Sequence, residues 1–179
     1  PVHLDGARVF NASVASGMAP ADIVDGFSSV MFCLSKGLGA PVGSILVGSK
    51  DFIKKALVGR KRFGGGMRQV GILAAAGIYA LENNVVRLAE DHDNARKLWN
   101  GLDDLGFELT PDPVETNIIF ARTEEIDVNA KQLAGFLSDR GIRIGPRNER
   151  EIRFVTHLDV TEEDIDKTVR EIKNFLSKK

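Results

Sequence analysis

An apolar run, a glycine-rich loop and a second apolar run follow one another in the first third of the sequence, and they constrain the fold most. Residues 30–34 (VMFCL) are apolar at every position, which is typical of a strand covered on both faces in a parallel sheet. Residues 44–47 (SILV) predict a second strand of this kind. Between them, residues 35–43 contain three glycines and a proline, which predicts a loop at the carboxyl end of the first strand.

Helical spacing dominates the middle of the chain. Helices are predicted over about residues 50–59 and 69–82, and the glycines of residues 64–66 separate them. Apolar side chains at steps of three and four then predict a long helix over residues 85–105. Gly106 ends this helix, and the domain boundary is predicted there.

A small α/β domain is predicted after the boundary, with helices on one face of a short sheet. Thr161 and Asp164 form a capping pattern at the start of its last helix. The predicted elements are strand 118–122, helix 130–140, strands 142–145 and 152–156, and helix 164–177.

Composition and charge exclude several classes of protein. With 43% hydrophobic and 27% charged residues, the chain has the composition of a globular domain. A net charge of -1 gives no reason to expect nucleic acid or an anionic membrane as a partner. No apolar stretch approaches the roughly 20 residues that span a bilayer. The single cysteine, Cys33, cannot form an intrachain disulfide, so we expect a soluble, cytoplasmic protein.

Metal binding and the start of the chain lead to two further expectations. The three histidines lie far apart and lack metal-ligand spacing with a cysteine or an acid, so no metal site is predicted. The sequence begins at Pro1 without a methionine and enters what resembles a strand end. We therefore expect a fragment of a longer protein.

Lys36 is the first candidate for chemistry. It follows a buried strand, and ligands of α/β proteins bind at the carboxyl ends of strands. Gly37 and Gly39 would let a flat cofactor approach the backbone closely. A desolvated lysine there would be a nucleophile toward an aldehyde. Taken alone, however, a lysine in an exposed loop is the commoner interpretation.

Two further residues near the first strand carry suitable groups. The carboxylate of Asp5 would point into the same crevice and could hold a protonated ring nitrogen. Arg8 could bind a substrate carboxylate with its planar guanidinium. The alternative for Asp5 is a cap on a helix that begins near Arg8, and the residues alone leave both open.

Basic residues elsewhere could either bind a ligand or simply face the solvent. The stretch 50–68 is strongly basic and adjoins three glycines, so it is a candidate phosphate-binding surface, with Arg68 the residue to single out. A solvated helix face explains its lysines equally well. Arg153 alternates with Ile152 and Phe154 in a predicted strand, and for it a solvent-facing arginine is the simpler interpretation.

Four separated motifs closely resemble the low-specificity threonine aldolases, and the resemblance covers essentially the whole chain. They are HLDGAR (residues 3–8), LSKGLGAPVGS (34–44), GGGMRQ (64–69) and RFVTHLD (153–159). The resemblance implies the C-terminal part of an aspartate-aminotransferase fold. Residues 1–105 would be part of a large, mostly parallel domain with helices on both faces and the long inter-domain helix, and residues 106–179 a small α/β domain.

The resemblance also implies an activity. The family binds pyridoxal 5′-phosphate (PLP) and cleaves β-hydroxy-α-amino acids to glycine and an aldehyde. A homotetramer is the family expectation. Lys36 is similar to the lysine that binds the cofactor, and Asp5 to the aspartate that pairs with the pyridine nitrogen. Arg8 and Arg153 match arginines near the substrate carboxylate, and Arg68, with Arg62 in the same region, matches a position associated with the cofactor phosphate.

Several points stay open at this stage. The general base is not assigned: His157 is one candidate, and a residue outside this chain is another. Nothing in the sequence matches the family's main phosphate-binding loop or its ring-stacking histidine, so we expect residues 1–179 to be inactive alone. The rivals are a β-eliminating lyase or an aminotransferase of the same fold and, in a different class, a non-catalytic anion-binding or dimerisation module.

Overall fold

The computed structural model describes residues 1–178, and it divides into two compact units, Pro1–Leu88 and Ala89–Lys179. The division lies inside a single long helix, so the second half of that helix belongs to the C-terminal unit. The domain boundary near Gly106 stays a prediction. No helix within residues 1–178 is both long and apolar enough to cross a membrane.

The N-terminal unit is built on a mixed sheet of three strands in the order β1-β2-β3. Strands β1 and β2 are parallel, and β2 and β3 are antiparallel. The elements are β1 (His3–Asp5), α1 (Val9–Ser16), α2 (Pro20–Ile23), β2 (Ser29–Cys33), β3 (Ser44–Gly48), α3 (Lys50–Arg62) and the start of α4 (Gly71–Asp103). The α/β class is confirmed, and β3 shows that its sheet is mixed.

The expected burial of the second apolar strand is wrong in this structure. All five residues of β3 are exposed, although Ile45, Leu46 and Val47 are apolar. Strand β3 pairs only with β2, and within residues 1–178 it has no second strand along its other edge. Apolar composition thus predicted the strand correctly but not its surroundings.

A small core fixes the loop after β2. Leu34, Leu38 and Ala40 from this loop are buried against Ala80 and Leu88 of α4. Phe10 of α1 and Phe32 of β2 pack edge to face beside it, with ring centroids 5.3 Å apart. The loop that carries Lys36 is therefore anchored by apolar side chains on both sides of the lysine.

The C-terminal unit is an antiparallel sheet of four strands in the order β4-β5-β7-β6, packed with α5, α6 and the second half of α4. Buried side chains from these elements, among them Leu102, Ile119, Leu133, Ile152 and Ile172, form its core. The elements are β4 (Glu108–Thr110), β5 (Ile118–Arg122), α5 (Ala130–Ser138), β6 (Gly145–Pro146), β7 (Glu151–Val155) and α6 (Glu162–Leu176).

Two expectations for local structure are corrected and one is confirmed. The helices predicted over residues 69–82 and 85–105 form one continuous helix, α4. The strand predicted over residues 142–145 is reduced to Gly145–Pro146, since Ile142 donates its N–H to the Leu137 carbonyl and closes the end of α5. The capping box is confirmed: the hydroxyl of Thr161 accepts from the Asp164 N–H over 3.2 Å, and the carboxylate accepts from the Thr161 N–H over 3.0 Å.

Candidate active site

Asp5 and the loop of Lys36 lie at the same edge of the N-terminal sheet. Asp5 is the last residue of β1 and pairs with Met31 of β2. Lys36 lies just beyond Cys33, where β2 ends. Because β1 and β2 are parallel, their carboxyl ends lie side by side. This is the edge at which α/β folds bind ligands.

Backbone hydrogen bonds hold the loop of Lys36 in one conformation. The Gly39 N–H donates to the Lys36 carbonyl over 2.8 Å, and the Ala40 N–H donates to the Leu34 carbonyl over 3.0 Å. Gly39 has a φ of 72°, in the left-handed region that favours glycine. The loop is thus a tight turn with Lys36 at its start.

The side chain of Lys36 is exposed and forms no hydrogen bond or ion pair within residues 1–178. The described residues therefore do not supply the desolvation that the sequence predicted for its amine. The backbone next to it is packed tightly instead. A Cβ on the buried Gly37 would lie 2.9 Å from Leu88 Cδ2 and 3.2 Å from Asn11 Oδ1.

Asp5 is held by its own loop and does not cap helix α1. Its Oδ1 accepts a hydrogen bond from the Ala7 N–H over 3.2 Å. Helix α1 begins after Arg8 and has no side-chain cap. Among the described residues, the second oxygen of this exposed carboxylate has no hydrogen-bond partner, so it is available for a ligand. Arg8 lies next to it in sequence and is half-buried.

The two basic residues suggested for the cofactor phosphate lie on the surface of the N-terminal unit. Arg62 is the last residue of α3, and Arg68 lies in the turn before α4. All residues from 60 to 72 are exposed. Within residues 1–178, no hydrogen bond or ion pair joins Arg62 or Arg68 to Asp5 or Lys36. No contact among the described residues therefore supports the predicted role of Arg62 and Arg68 in binding the cofactor phosphate.

Arg153 lies in the C-terminal unit, in β7 opposite Phe120 of β5. Its side chain is exposed, and its neighbours Ile152 and Phe154 are buried, so the predicted alternation is confirmed. Arg153 and His157 line the same open groove of about 400 Å³, which loop 141–145, the end of β7 and α6 enclose.

His157, which lines this groove, contacts Asp159. Its Nδ1 accepts from the Asp159 N–H over 3.3 Å and lies 3.6 Å from the Asp159 carboxylate.

Sequence reasoning did not identify a buried polar cluster beside β7. Asp91, His92, Asn117 and Thr156 are each at most 3% exposed, although they come from three separate parts of the chain. Burial lowers the pKa of His92, against a smaller opposing effect of Asp91. The one available signal was strand alternation, which places Thr156 on the same face as the buried Ile152 and Phe154.

Comparison with known proteins places the chain in a family. A family profile described as beta-eliminating lyase matches residues 1–126, which is more than half of the chain. The chain belongs to the beta-eliminating lyase family. The matched region contains Asp5, Arg8 and Lys36 together with the sheet edge that carries them.

The curated relatives of this beta-eliminating lyase family member carry one recurring name. This chain is 47% identical over 177 residues to the low specificity L-threonine aldolase of Escherichia coli K12, and the match covers 99% of this chain and 51% of that protein. It is 45% identical over 170 residues to low-specificity L-threonine aldolase 1 of Arabidopsis thaliana, covering 94% of this chain and 48% of that protein. The chain therefore spans about half the length of the curated relatives it matches.

Solved structures support the fold of this family member. A structure from Listeria monocytogenes matches with a TM-score of 0.78 at 21% identity, over 96% of this chain and 51% of that one. The threonine aldolase of Leishmania major matches with a TM-score of 0.74 at 19% identity, over 97% of this chain and 51% of that one. At these identities the likeness shows the fold alone.

Proposed function

We propose that this chain is part of a PLP-dependent carbon–carbon lyase that cleaves L-threonine and L-allo-threonine to glycine and acetaldehyde. One observation carries the proposal: Asp5 and the loop of Lys36 lie at the adjoining carboxyl ends of parallel strands β1 and β2. The identity to low specificity L-threonine aldolases over nearly the whole chain supports the choice of substrate class.

The residues at this edge fit PLP. The cofactor needs a primary amine for its aldehyde and a carboxylate for its protonated ring nitrogen. The amine of Lys36 is exposed and without a partner in the described chain, and the exposed carboxylate of Asp5 has one oxygen available. The tight packing around Gly37 keeps the backbone next to Lys36 in place. Arg68 and Arg62 are the candidates for the phosphate.

Each residue has a separate task in the proposed reaction. Lys36 would hold the cofactor through its Nζ. Asp5 would pair its negative charge with the protonated ring nitrogen. When bound, PLP supplies the electron sink that bond cleavage at Cα requires.

Arg8 and Arg153 are proposed to bind the substrate carboxylate. A guanidinium offers two parallel N–H donors, so it fixes both the position and the plane of a carboxylate. Fixing the carboxylate orients the substituents at Cα and so selects the bond that breaks. This orientation favours cleavage of the Cα–Cβ bond over transamination or decarboxylation. The base that removes the β-hydroxyl proton stays unassigned.

A β-eliminating lyase is the second candidate, since that is the description of the family that matches residues 1–126. It would use the same Lys36 and Asp5 but expel the substituent on Cβ, which is water for threonine, and release ammonia and a 2-oxo acid. Residues 1–179 alone are proposed to be inactive. The homotetramer, the role in threonine catabolism and the cytoplasmic location also belong to the proposal.

Product analysis separates the candidates. The full-length product of the gene that encodes this chain would be saturated with PLP and incubated with L-threonine. We expect glycine and acetaldehyde in equal amounts, abolished by Lys36→Ala and unchanged by Lys131→Ala, which removes an exposed lysine of α5. Ammonia and 2-oxobutanoate as the main products would instead establish the β-eliminating reaction.

A further inference from the structure

The buried polar cluster of the C-terminal unit joins three elements through Thr156. The hydroxyl of Thr156 donates to the main-chain carbonyl of Asp91 in α4 over 2.6 Å. The side-chain amide of Asn117, which precedes β5, donates to the Thr156 carbonyl over 2.8 Å. The Thr156 N–H in turn donates to the Asn117 carbonyl over 3.1 Å. Thr156 thus ties the end of β7 to both α4 and β5.

A second hydrogen bond holds the chain that follows. The side-chain amide of Asn94, three residues after Asp91 in α4, donates to the Val160 carbonyl over 3.0 Å. Residues three apart lie on the same side of a helix, so α4 clamps the segment 156–160 at both of its ends. His157 lies between the two clamped points, and Arg153 lies shortly before the first.

The cluster is not explained by packing alone. The face of the sheet around it is apolar, with Ile119, Ile152 and Phe154 buried. A buried hydroxyl is stable only when it is hydrogen-bonded, and valine would fill the same volume without that requirement. What a hydroxyl adds is direction, because a hydrogen bond fixes one placement of β7 against α4 where apolar contact would accept several.

The placement matters because of what lies beside Thr156. Strand alternation directs Thr156 toward the core and its neighbour His157 away from it. Arg153 and His157 both line the groove at the end of β7, and Thr156 itself forms part of its wall. A small shift of this end of β7 would therefore move the side chains of Arg153 and His157 together.

We propose that Thr156 is a positioning residue for substrate binding: its hydroxyl bond to α4 sets where the Arg153 guanidinium and the His157 ring stand in the groove. This inference rests on the proposed function, in which Arg153 binds the substrate carboxylate. Thr156 itself is buried and takes no part in the chemistry.

The chain offers a matched control at the other end of the same strand pair. Thr123 follows β5 and is fully buried, and its hydroxyl donates to the Val128 carbonyl over 2.5 Å. Thr123→Val and Thr156→Val therefore each remove one buried, hydrogen-bonded hydroxyl while preserving volume. Only Thr156 lies beside the groove. Thr156→Ser keeps the hydroxyl and serves as the rescue variant.

The test is steady-state kinetics of the full-length, PLP-loaded protein with L-threonine. We expect Thr156→Val to raise KM roughly three- to tenfold and to lower kcat as well. A displaced Arg153 would bind the substrate carboxylate less tightly and orient the substituents at Cα less well. Thr156→Ser is expected to restore KM. Thr123→Val is expected to lower the melting temperature about as much as Thr156→Val does, because each loses one buried hydrogen bond. Unlike Thr156→Val, it is expected to leave KM unchanged. A wild-type KM in Thr156→Val, or an equal rise in Thr123→Val, would overturn the inference.

A second readout does not depend on activity. In the protein without substrate, amide hydrogen exchange in peptides covering residues 157–160 is expected to accelerate in Thr156→Val and not in Thr123→Val. Equal exchange in the two variants would overturn the clamp whatever the kinetics show. Absence of threonine cleavage by the wild type would instead overturn the proposed function, and with it the link from the clamp to the substrate.

Discussion

Gly6 and Met31 approach each other more closely than a side chain at position 6 would permit. The Gly6 N–H donates to the Met31 carbonyl over 2.9 Å, and a Cβ built on Gly6 would lie 2.9 Å from that same oxygen. This contact joins the residue after Asp5 to strand β2, whose end leads to Lys36. It therefore helps to hold the two candidate cofactor residues at a fixed separation.

Gly6→Ala is predicted to destabilise the protein by about 1–3 kcal/mol, because the backbone must move away from Met31 to admit the methyl group. Urea unfolding of the full-length protein measures this difference. Gly59→Ala is the control. Apart from the backbone of its own helix α3 and its two chain neighbours, no described atom lies within 4 Å of a Cβ added at Gly59, and alanine favours a helix by about 0.5–1 kcal/mol over glycine. Equal stability of Gly6→Ala and the wild type would show that the close approach carries no constraint.

His92 is predicted to make stability depend on pH. Burial lowers its pKa below the usual 6.5, and the opposing effect of Asp91 is smaller. Between the lower pKa of the folded state and the ordinary pKa of the unfolded state, His92 binds more protons in the unfolded protein. Its contribution to the stability is therefore lost as the pH falls below about 6.5 and is constant above that pH. His92→Gln is expected to reduce the difference between urea unfolding at pH 7.5 and at pH 5.5.

Thr161 is predicted to contribute to the stability of the last helix. Its hydroxyl accepts from the Asp164 N–H at the start of α6, so Thr161→Ala leaves that donor without its partner. We expect a loss of about 1 kcal/mol in the free energy of unfolding. Thr161→Ser retains the acceptor and should unfold as the wild type does. If alanine and serine behave alike, the capping bond does not stabilise the helix.

Local signals in the sequence predicted much of this fold. Strand β5 was expected at its observed bounds, Ile118–Arg122, because both ends are marked by polar residues and its apolar run is short. The Thr161–Asp164 pattern likewise predicted the capping box of the last helix, because a capping box involves only neighbouring residues. The helix itself begins at Glu162, two residues before the predicted start. Helix α1 lacked such a signal: it has no side-chain cap, and two of its three buried residues, Asn11 and Ser13, are polar.

Features set by distant parts of the chain were not accessible from sequence. The direction of β3 depends on how the loop after Lys36 returns to the sheet, and an apolar run is the same in either direction. The hydroxyl bond of Thr156 joins residues 65 positions apart. For the candidate site, the motif order identified Asp5 and Lys36, and only the parallel pairing of β1 with β2 showed that their strand ends adjoin.

Lys36 is the residue on which the proposed cofactor site depends most. The full-length gene product would be incubated with PLP, reduced with borohydride, digested and mapped by peptide mass spectrometry, with Lys36→Ala treated in parallel. We predict a pyridoxyl group on Lys36 in the wild type and none on the corresponding peptide of the variant. A cofactor adduct confined to other lysines, or no adduct at all, would contradict the proposal that this sheet edge is a PLP site.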